Sequence, residues 1–434
     1  MGSDAKRILI VGGGFAGLYA AMELERVAGA GHTVTVVSQE NFMQYQPFLP
    51  EVASGTIDPR AVVVPLRSVL RHARVFVAEV TSIDHEARTV EARRTDGRMA
   101  TLAYDILILT AGSWSRVLPV PGLAERGVGF KTIQEAIYLR NHVLSRMDLA
   151  VETDDPDRRR RALTFVFVGA GFAGVEALGE LEDLARDARK AYPTLHDEPM
   201  RWVLVEGGPR ILPELPEDLA RYALRRLAER GIEIRLDTRL ESAADGIMKL
   251  SDGQEFAADT LVWTAGVKPS PLAELSGLPR DERGRVRVDE TLRVVGVADA
   301  WAAGDLAAVP DVATGGTSPP TAQYAWRQGR RLGRNVAGQL MDGTEPQPFV
   351  WKNVGGVCSL GRYKGVANIM GFKVRGLAGW LLHRTYHLWA MPTISRRVRI
   401  ALDWTIGLLF PRDIAQLGSL ERLREPFERA AGED

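Results

Sequence analysis

One cysteine, Cys358, stands in 434 residues, so the chain has no disulfide framework, no four-cysteine zinc site and no redox-active C-x-x-C pair. That count alone excludes the dithiol reductases. Net charge is missing too: 55 Lys and Arg balance 55 Asp and Glu, leaving no overall field to draw in a nucleic acid, and none is expected as a partner. No uninterrupted apolar run approaches the ~18 to 20 residues a spanning helix needs, which restricts any membrane contact to the periphery. The first strand-like run begins at Arg7, too early for a basic region and an apolar region to precede it, so a cytoplasmic protein is expected. What is present is a globular composition, 45% apolar and 25% charged. The length suits two or three cores, since single cores rarely exceed roughly 250 to 300 residues.

A strand, a glycine turn and a helix occur in that order twice. Arg7 to Val11 runs into Gly12-Gly13-Gly14-Phe15-Ala16-Gly17 and a helical pattern through Arg26; Leu163 to Val168 runs into Gly169-Ala170-Gly171-Phe172-Ala173-Gly174 and a helical pattern through Lys190. In each, the first glycine permits the tight turn, the second lets backbone approach a pyrophosphate and the third lets helix pack on strand. The helix N-terminus supplies unpaired N–H groups to the anion. The duplication continues in Ile106 to Gly112 and Leu261 to Gly266, two buried runs ending in Thr-Ala-Gly, which makes Ala111, Gly112, Ala265 and Gly266 binding candidates. The acidic position that grips a ribose reads Glu206 directly after Trp202 to Val205 in the second motif, a carboxylate that repels a 2′-phosphate and so favours NADH over NADPH. In the first motif it reads Ser38-Gln39-Glu40 after Thr33 to Val37, with Glu40 the candidate.

Two dinucleotide sites in one chain suggest a relay, because nicotinamide carries hydride and flavin passes electrons singly or in pairs. Gly304-Asp305, in the Ala-Gly-Asp turn after Trp301, assigns FAD to the first site, with Asp305 reaching a ribityl hydroxyl. Pro319 and Pro320 suit the start of a helix running toward Met341, whose positive end would face the flavin from Ala322. Gln323 and Arg327 share one face of that helix and either line an acceptor site or form an ordinary surface pair. Glu176, on the first helical turn after Gly174, either points toward the nicotinamide or is a capping or solvated glutamate. Thr153 to Arg161 reads as a solvated loop at a boundary. From Phe349 onward come glycine-punctuated short strands, then Trp-rich helices between Gly376 and Phe410, suited to a subunit interface, a core helix pair or a membrane surface. His383 and His387 lie four apart without a third ligand, so no metal site is expected.

Together these residues resemble the type II NADH dehydrogenases, single-subunit NADH:quinone oxidoreductases of the two-dinucleotide-binding flavoprotein superfamily, over nearly the whole chain. Besides the glycine motifs, Gln46-Pro47-Phe48-Leu49-Pro50-Glu51-Val52-Ala53-Ser54-Gly55, Glu176 with Glu180, Ala303 to Asp305 and Pro320 to Gln323 match in order and spacing. The resemblance implies an α/β fold with two Rossmann-like, glutathione-reductase-like domains and a small C-terminal membrane-anchoring domain. Residues 1–118 and 270–345 would bind FAD, 119–269 NADH, and 346–434 would form the third domain. It implies FAD held by Gly12, Gly14, Phe15, Ala16, Gly17, Glu40, Ala111, Gly112, Gly304, Asp305, Ala322 and Gln323. NADH would be held by Gly169, Gly171, Phe172, Ala173, Gly174, Glu176, Glu206, Ala265 and Gly266. Catalytic roles fall to Glu176, which places the nicotinamide, and to Gln323 and Arg327, which orient a menaquinone or ubiquinone. Arg327 departs from the family's Ala-Gln-x-Ala-x-Gln pattern, with Gln328 one step further round the helix. A soluble reductase of a redox protein or specialised small molecule is therefore the alternative, and a nicotinamide-sensing protein with vestigial flavin a further one. Sulfide:quinone oxidoreductases share the architecture but need a cysteine pair. Leu377, Trp380, Leu381, Tyr386, Leu388 and Trp389, with Arg384, Arg396, Arg397 and Arg399, are expected to rest on the cytoplasmic face of the cell membrane; a homodimer is left open.

Overall fold

The computed structural model describes residues 5–312 and 314–416; the tail from 417 onward, assigned above to the third domain, lies outside them. Strand β1 (Arg7–Val11) enters helix α1 (Phe15–Gly29) through the first glycine turn and returns in β2 (Thr33–Ser38). With β3 (Ile106–Leu109) these form the centre of a seven-stranded sheet. Ala300–Ala302 closes one side, and Arg74–Asp84, Thr89–Arg94 and Met99–Ala103 extend the other. All pairings are parallel until Thr89–Arg94, where the sheet turns antiparallel. The chain reverses direction across the sheet at β1, and its carboxyl end, at that reversal, is where open α/β sheets bind ligands.

Helix α2 (Ile133–Glu152), opened by a capping box between Thr132 and Glu135, leads to a second parallel sheet. Its strands β4 (Thr164–Val168), β5 (Arg201–Val205) and β6 (Thr260–Trp263) repeat the first arrangement, with helix α3 (Phe172–Ala188) following β4 through the second glycine turn. Gly127–Gly129 and Glu233–Arg235 form its edges. β4 is buried along its whole length, so it reads as a continuous apolar run and not as an alternation. Thr153 to Arg161 is not a loop. Asp155 accepts N–H bonds from Asp157 and Arg158, and Pro156 opens a helix that runs to Ala162, an N-cap followed by proline at the first helical position.

Helix α4 (Ala322–Asp342) lies against α1 at very short range. A side chain at Gly329 would strike the Ala16 carbonyl and one at Gly333 would come within 2.6 Å of the Ala20 carbonyl oxygen, so both positions must lack a Cβ. This contact delivers the N-terminus of α4 to the first glycine turn. Gly355–Ser359, Gly365–Ile369 and Phe372–Arg375 make an antiparallel sheet, followed by α5 (Gly376–Ala390) and α6 (Ile394–Leu409).

Candidate functional site

Both glycine turns are built alike. Gly12 and Gly169 each take φ +105°, and each donates its N–H to the end of the neighbouring strand, to Val37 O and Val205 O at 2.8 Å. Thr110 and Thr264, from the two Thr-Ala-Gly turns, donate their hydroxyls to the carbonyls that open the turns, at 2.9 to 3.1 Å. Around the first turn is a cavity of about 910 Å³, within the range of ligand sites. Gly12, Gly14, Phe15, Ala16, Glu40, Ala111, Gly112, Gly304, Asp305 and Ala322 line it, and Gly17 packs the helix onto the turn behind them. A Cβ at Gly14 would meet nothing within 4 Å, so the backbone there is open to an incoming group. Thr321 caps α4 without a side-chain bond and no acid occupies the first turn, leaving the helix's positive end to the cavity, where Pro320, Ala322 and Ala325 lie. The long cavity, glycine cradle and helix end fit an FAD.

Two residues at this site, Ser113 and Lys131, were not singled out from sequence. Asp305 accepts the Ser113 hydroxyl at 2.6 Å, Lys131 donates to the same hydroxyl at 2.7 Å, and Lys131 Nζ stands 3.9 Å from Asp305. Burial lowers the Lys131 pKa from the usual lysine value, against the pull of Asp305 and Glu135. Gln328, buried, accepts the Gly304 N–H at 2.8 Å and so fixes the Ala-Gly-Asp turn; it is not an acceptor contact. Of Ser113 and Lys131, only Ser113 carried a signal, its place directly after Thr-Ala-Gly.

At the second turn Glu206 sits where a ribose binder belongs, its carboxylate accepting from Ala170 N–H at 2.7 Å and Gly208 N–H at 2.8 Å. Gly171, Phe172, Ala173 and Gly174 open α3 beside it, with Gly174 packed against the Gly169 carbonyl. Ala265 and Gly266 (φ +92°) follow β6, and Ala265 lies against Gly169.

Glu176, on α3 just past Gly174, contacts the C-terminal segment. It is buried, accepts the Ser359 N–H at 2.9 Å and lies 3.0 Å from His383 Nε2, because the C-terminal sheet and α5 pack over α3 and claim the carboxylate. Gln323 is absent from the residues lining the large cavity: its amide nitrogen points to Gly355 O at 3.5 Å, and its amide oxygen, buried, has no partner among the described residues. Arg327 is one turn further on. Its guanidinium carbon lies 3.6 Å from the Trp351 ring centre and 4.0 Å from that of Trp326, and its Nη1 donates to Gln323 O at 2.9 Å. Burial pulls this group down from the usual arginine range, and the Tyr386, Tyr19 and Tyr324 hydroxyls push the other way.

On α5, Trp380 and Arg384 are buried, against the expectation that they face outward. Arg384 pairs with Glu51 at 2.8 Å, and Trp404 Nε1 donates to the same carboxylate at 2.7 Å. Tyr386 and Leu388 are half-buried. Leu377, Leu381 and Trp389 are exposed, and α6 adds Ile394, Val398, Leu402, Ile406 and Leu409. No helix of the described residues is long and apolar enough to cross a membrane.

Residues 6–329 match the family model described as pyridine nucleotide-disulphide oxidoreductase. The chain is 32% identical over 420 residues to the type II NADH:quinone oxidoreductase Ndh of Mycobacterium tuberculosis, covering 94% of this chain and 89% of that one. It is 30% identical over 385 residues to the type II NADH:quinone oxidoreductase of Staphylococcus aureus, covering 87% and 92%. Its fold matches that of NDH2 from Plasmodium falciparum, solved in complex with NADH, with a TM-score of 0.88 over 94% of this chain and 99% of that one, at 17% identity.

Proposed function

The chain belongs to the type II NADH:quinone oxidoreductases, within the pyridine nucleotide-disulphide oxidoreductase family, and from that membership we propose a non-proton-pumping respiratory dehydrogenase that carries hydride from NADH to FAD and two electrons onward to a membrane quinone. The observation that carries the reading is the pair of matching glycine turns, one opening on a cavity that ends at α4, the other ending in Glu206. FAD, when bound, supplies a carrier that accepts hydride and releases electrons in pairs or singly. Gly12 to Gly17 receive its pyrophosphate, Glu40 its adenosine ribose and Asp305 its ribityl chain, while the positive end of α4 favours negative charge beside it. Gly169 to Gly174 and Glu206 hold NADH. Gln323 and Arg327 orient the acceptor. Residues 1–118 with 270–345 serve the flavin, 119–269 the nicotinamide and 346–434 the membrane.

The decisive experiment mixes FAD-loaded protein anaerobically with NADH, then with a menaquinone analogue, a ubiquinone analogue or ferricyanide. NADH is expected to bleach the yellow absorbance and a quinone to restore it. Recovery with ferricyanide but neither quinone would replace this reading by that of a redox-protein reductase.

Glu206 supplies the nucleotide preference. A charge-assisted hydrogen bond is worth about 1.5–3 kcal/mol, so Glu206→Ala is expected to lower kcat/KM for NADH by about 10- to 100-fold. The value for NADPH, freed from repulsion, should hold or rise. An unchanged ratio of the two would remove Glu206 from the site.

We place the exposed apolar faces of α5 and α6 on the cytoplasmic surface of the cell membrane, with Arg396 and Arg399 near anionic headgroups. The protein is expected to pellet with anionic vesicles and to be released when Leu381, Trp389 and Leu402 are changed to serine. A stable homodimer that leaves vesicles untouched would instead assign this face to a second copy.

A further inference from the structure

Two unpartnered polar atoms and a cation without a carboxylate lie together where α4 faces the C-terminal segment. Gln323 Oε1 is a buried acceptor and Trp351 Nε1 a buried donor, neither with a partner among the described residues. Arg327 is a half-buried cation with tyrosine hydroxyls around it and no carboxylate among the described residues in an ion pair with it. The indoles of Trp326 and Trp351 lie against its guanidinium in cation–π contacts, and of its five N–H donors those not engaged by Gln323 O and the Tyr386 hydroxyl are free to meet a ligand. A cation partly withdrawn from water and without a carboxylate partner gains from an anion that completes it.

Resting on the quinone-reductase reading, we propose that Arg327 makes the acceptor site selective for quinones that are anionic at neutral pH, such as ring-hydroxylated naphthoquinones or quinones bearing a carboxylate. The anionic oxygen pairs with the Arg327 edge, a ring carbonyl takes the Trp351 N–H, and the hydroxyl formed on reduction donates to Gln323. The electron balance of the quinone-reductase reaction is kept: NADH, one proton and the quinone anion give NAD⁺ and the quinol; a carboxylate substituent stays ionised, whereas a ring hydroxyl, no longer a vinylogous acid once the ring is reduced, takes up a second proton from solvent. Glutamine at this position, as in the family's pattern, has no charge with which to make the distinction.

The test is the ratio of kcat/KM for 2-hydroxy-1,4-naphthoquinone to that for neutral 2-methyl-1,4-naphthoquinone, measured with FAD-loaded wild-type enzyme and Arg327→Gln. Both acceptors draw on the same reduced enzyme, and comparing the two proteins cancels the acceptors' difference in driving force. A charged hydrogen bond predicts that the substitution lowers the ratio about 10- to 100-fold. Arg327→Lys, which keeps charge and loses the fork, should fall between, and it keeps the question answerable if the glutamine variant does not fold. A ratio that moves in neither variant, with the neutral quinone still reduced, overturns the proposal and leaves the quinone-reductase reading standing. No turnover of any quinone by wild-type enzyme whose FAD is bleached by NADH overturns both.

Discussion

An Asp305→Ala protein is expected to emerge from purification nearly colourless. The carboxylate ends the Ala-Gly-Asp turn whose backbone Gln328 fixes, and it lines the flavin cavity, with Oδ2 accepting the Ser113 hydroxyl. Losing it removes the proposed acceptor for the ribityl chain, at about 1.5–3 kcal/mol for a hydrogen bond to a charged group. It also strips the nearby Lys131 ammonium, mostly buried, of its nearest counter-charge at that site. The two losses together are expected to weaken FAD binding by about 100-fold or more, since each ~1.4 kcal/mol is a factor of ten. Flavin-to-protein absorbance after gel filtration and a fluorescence titration of apoprotein read the effect. Adding Lys131→Met to Asp305→Ala should recover part of the affinity, because the stranded cation goes with it. An Asp305→Ala protein that keeps stoichiometric flavin at wild-type affinity would place the ribityl contact elsewhere.

The largest loss of stability is expected from Glu51→Ala. Glu51 and Arg384 are both buried, the guanidinium also lies 3.9 Å over Trp380 and 4.6 Å over Trp404, and Trp404 donates to Glu51. Removing the acid leaves a buried guanidinium that cannot shed its proton, at a cost of about 3–5 kcal/mol. Arg384→Met is the milder change, because the carboxyl left behind can take up a proton. Burial already raises Glu51 above the usual glutamate range, with Arg384 pulling it back. Without Arg384 the folded carboxyl rises further. A raised acid costs nothing below its unfolded pKa and progressively destabilises as pH climbs through the folded one. Urea unfolding at pH 5 and pH 8 should therefore show a deficit in Arg384→Met that shrinks on acidification, and one in Glu51→Ala that does not. Equal, pH-independent deficits would contradict the argument.

The parts of the fold written in local sequence were legible because each is a backbone requirement met within a few residues. Gly12 and Gly169 supply the positive φ of their turns and the Thr-Ala-Gly repeats close them; α4 begins at Ala322 after the Thr321 cap, so Pro319 and Pro320 stand just ahead of the helix and not at its first positions. Asp155-Pro156 carries the same kind of signal, an N-cap followed by proline, inside a charged, proline-bearing stretch whose composition is that of a solvated loop. The residues that escaped depend on partners brought from far along the chain. Lys131 acquires meaning only beside Ser113 and Asp305; Arg384 is drawn inward by Glu51, more than three hundred positions away. Glu176 likewise meets Ser359 and His383, partners that local spacing does not announce. Periodicity tells which way a helix is amphipathic, not which later segment will cover it.

The threading of the two sheets sets an order of assembly on the ribosome. The five-stranded sheet draws all its strands from Gly127–Gly129 through Thr260–Trp263, so it can close as soon as that stretch has emerged. The seven-stranded sheet must wait for Ala300–Ala302, and until then β3 is an unpaired apolar edge of the kind that invites association with other nascent chains. Slow translation across the interval between these two sections would prolong that vulnerable stage, and a chaperone acting on newly made chains would find its substrate there.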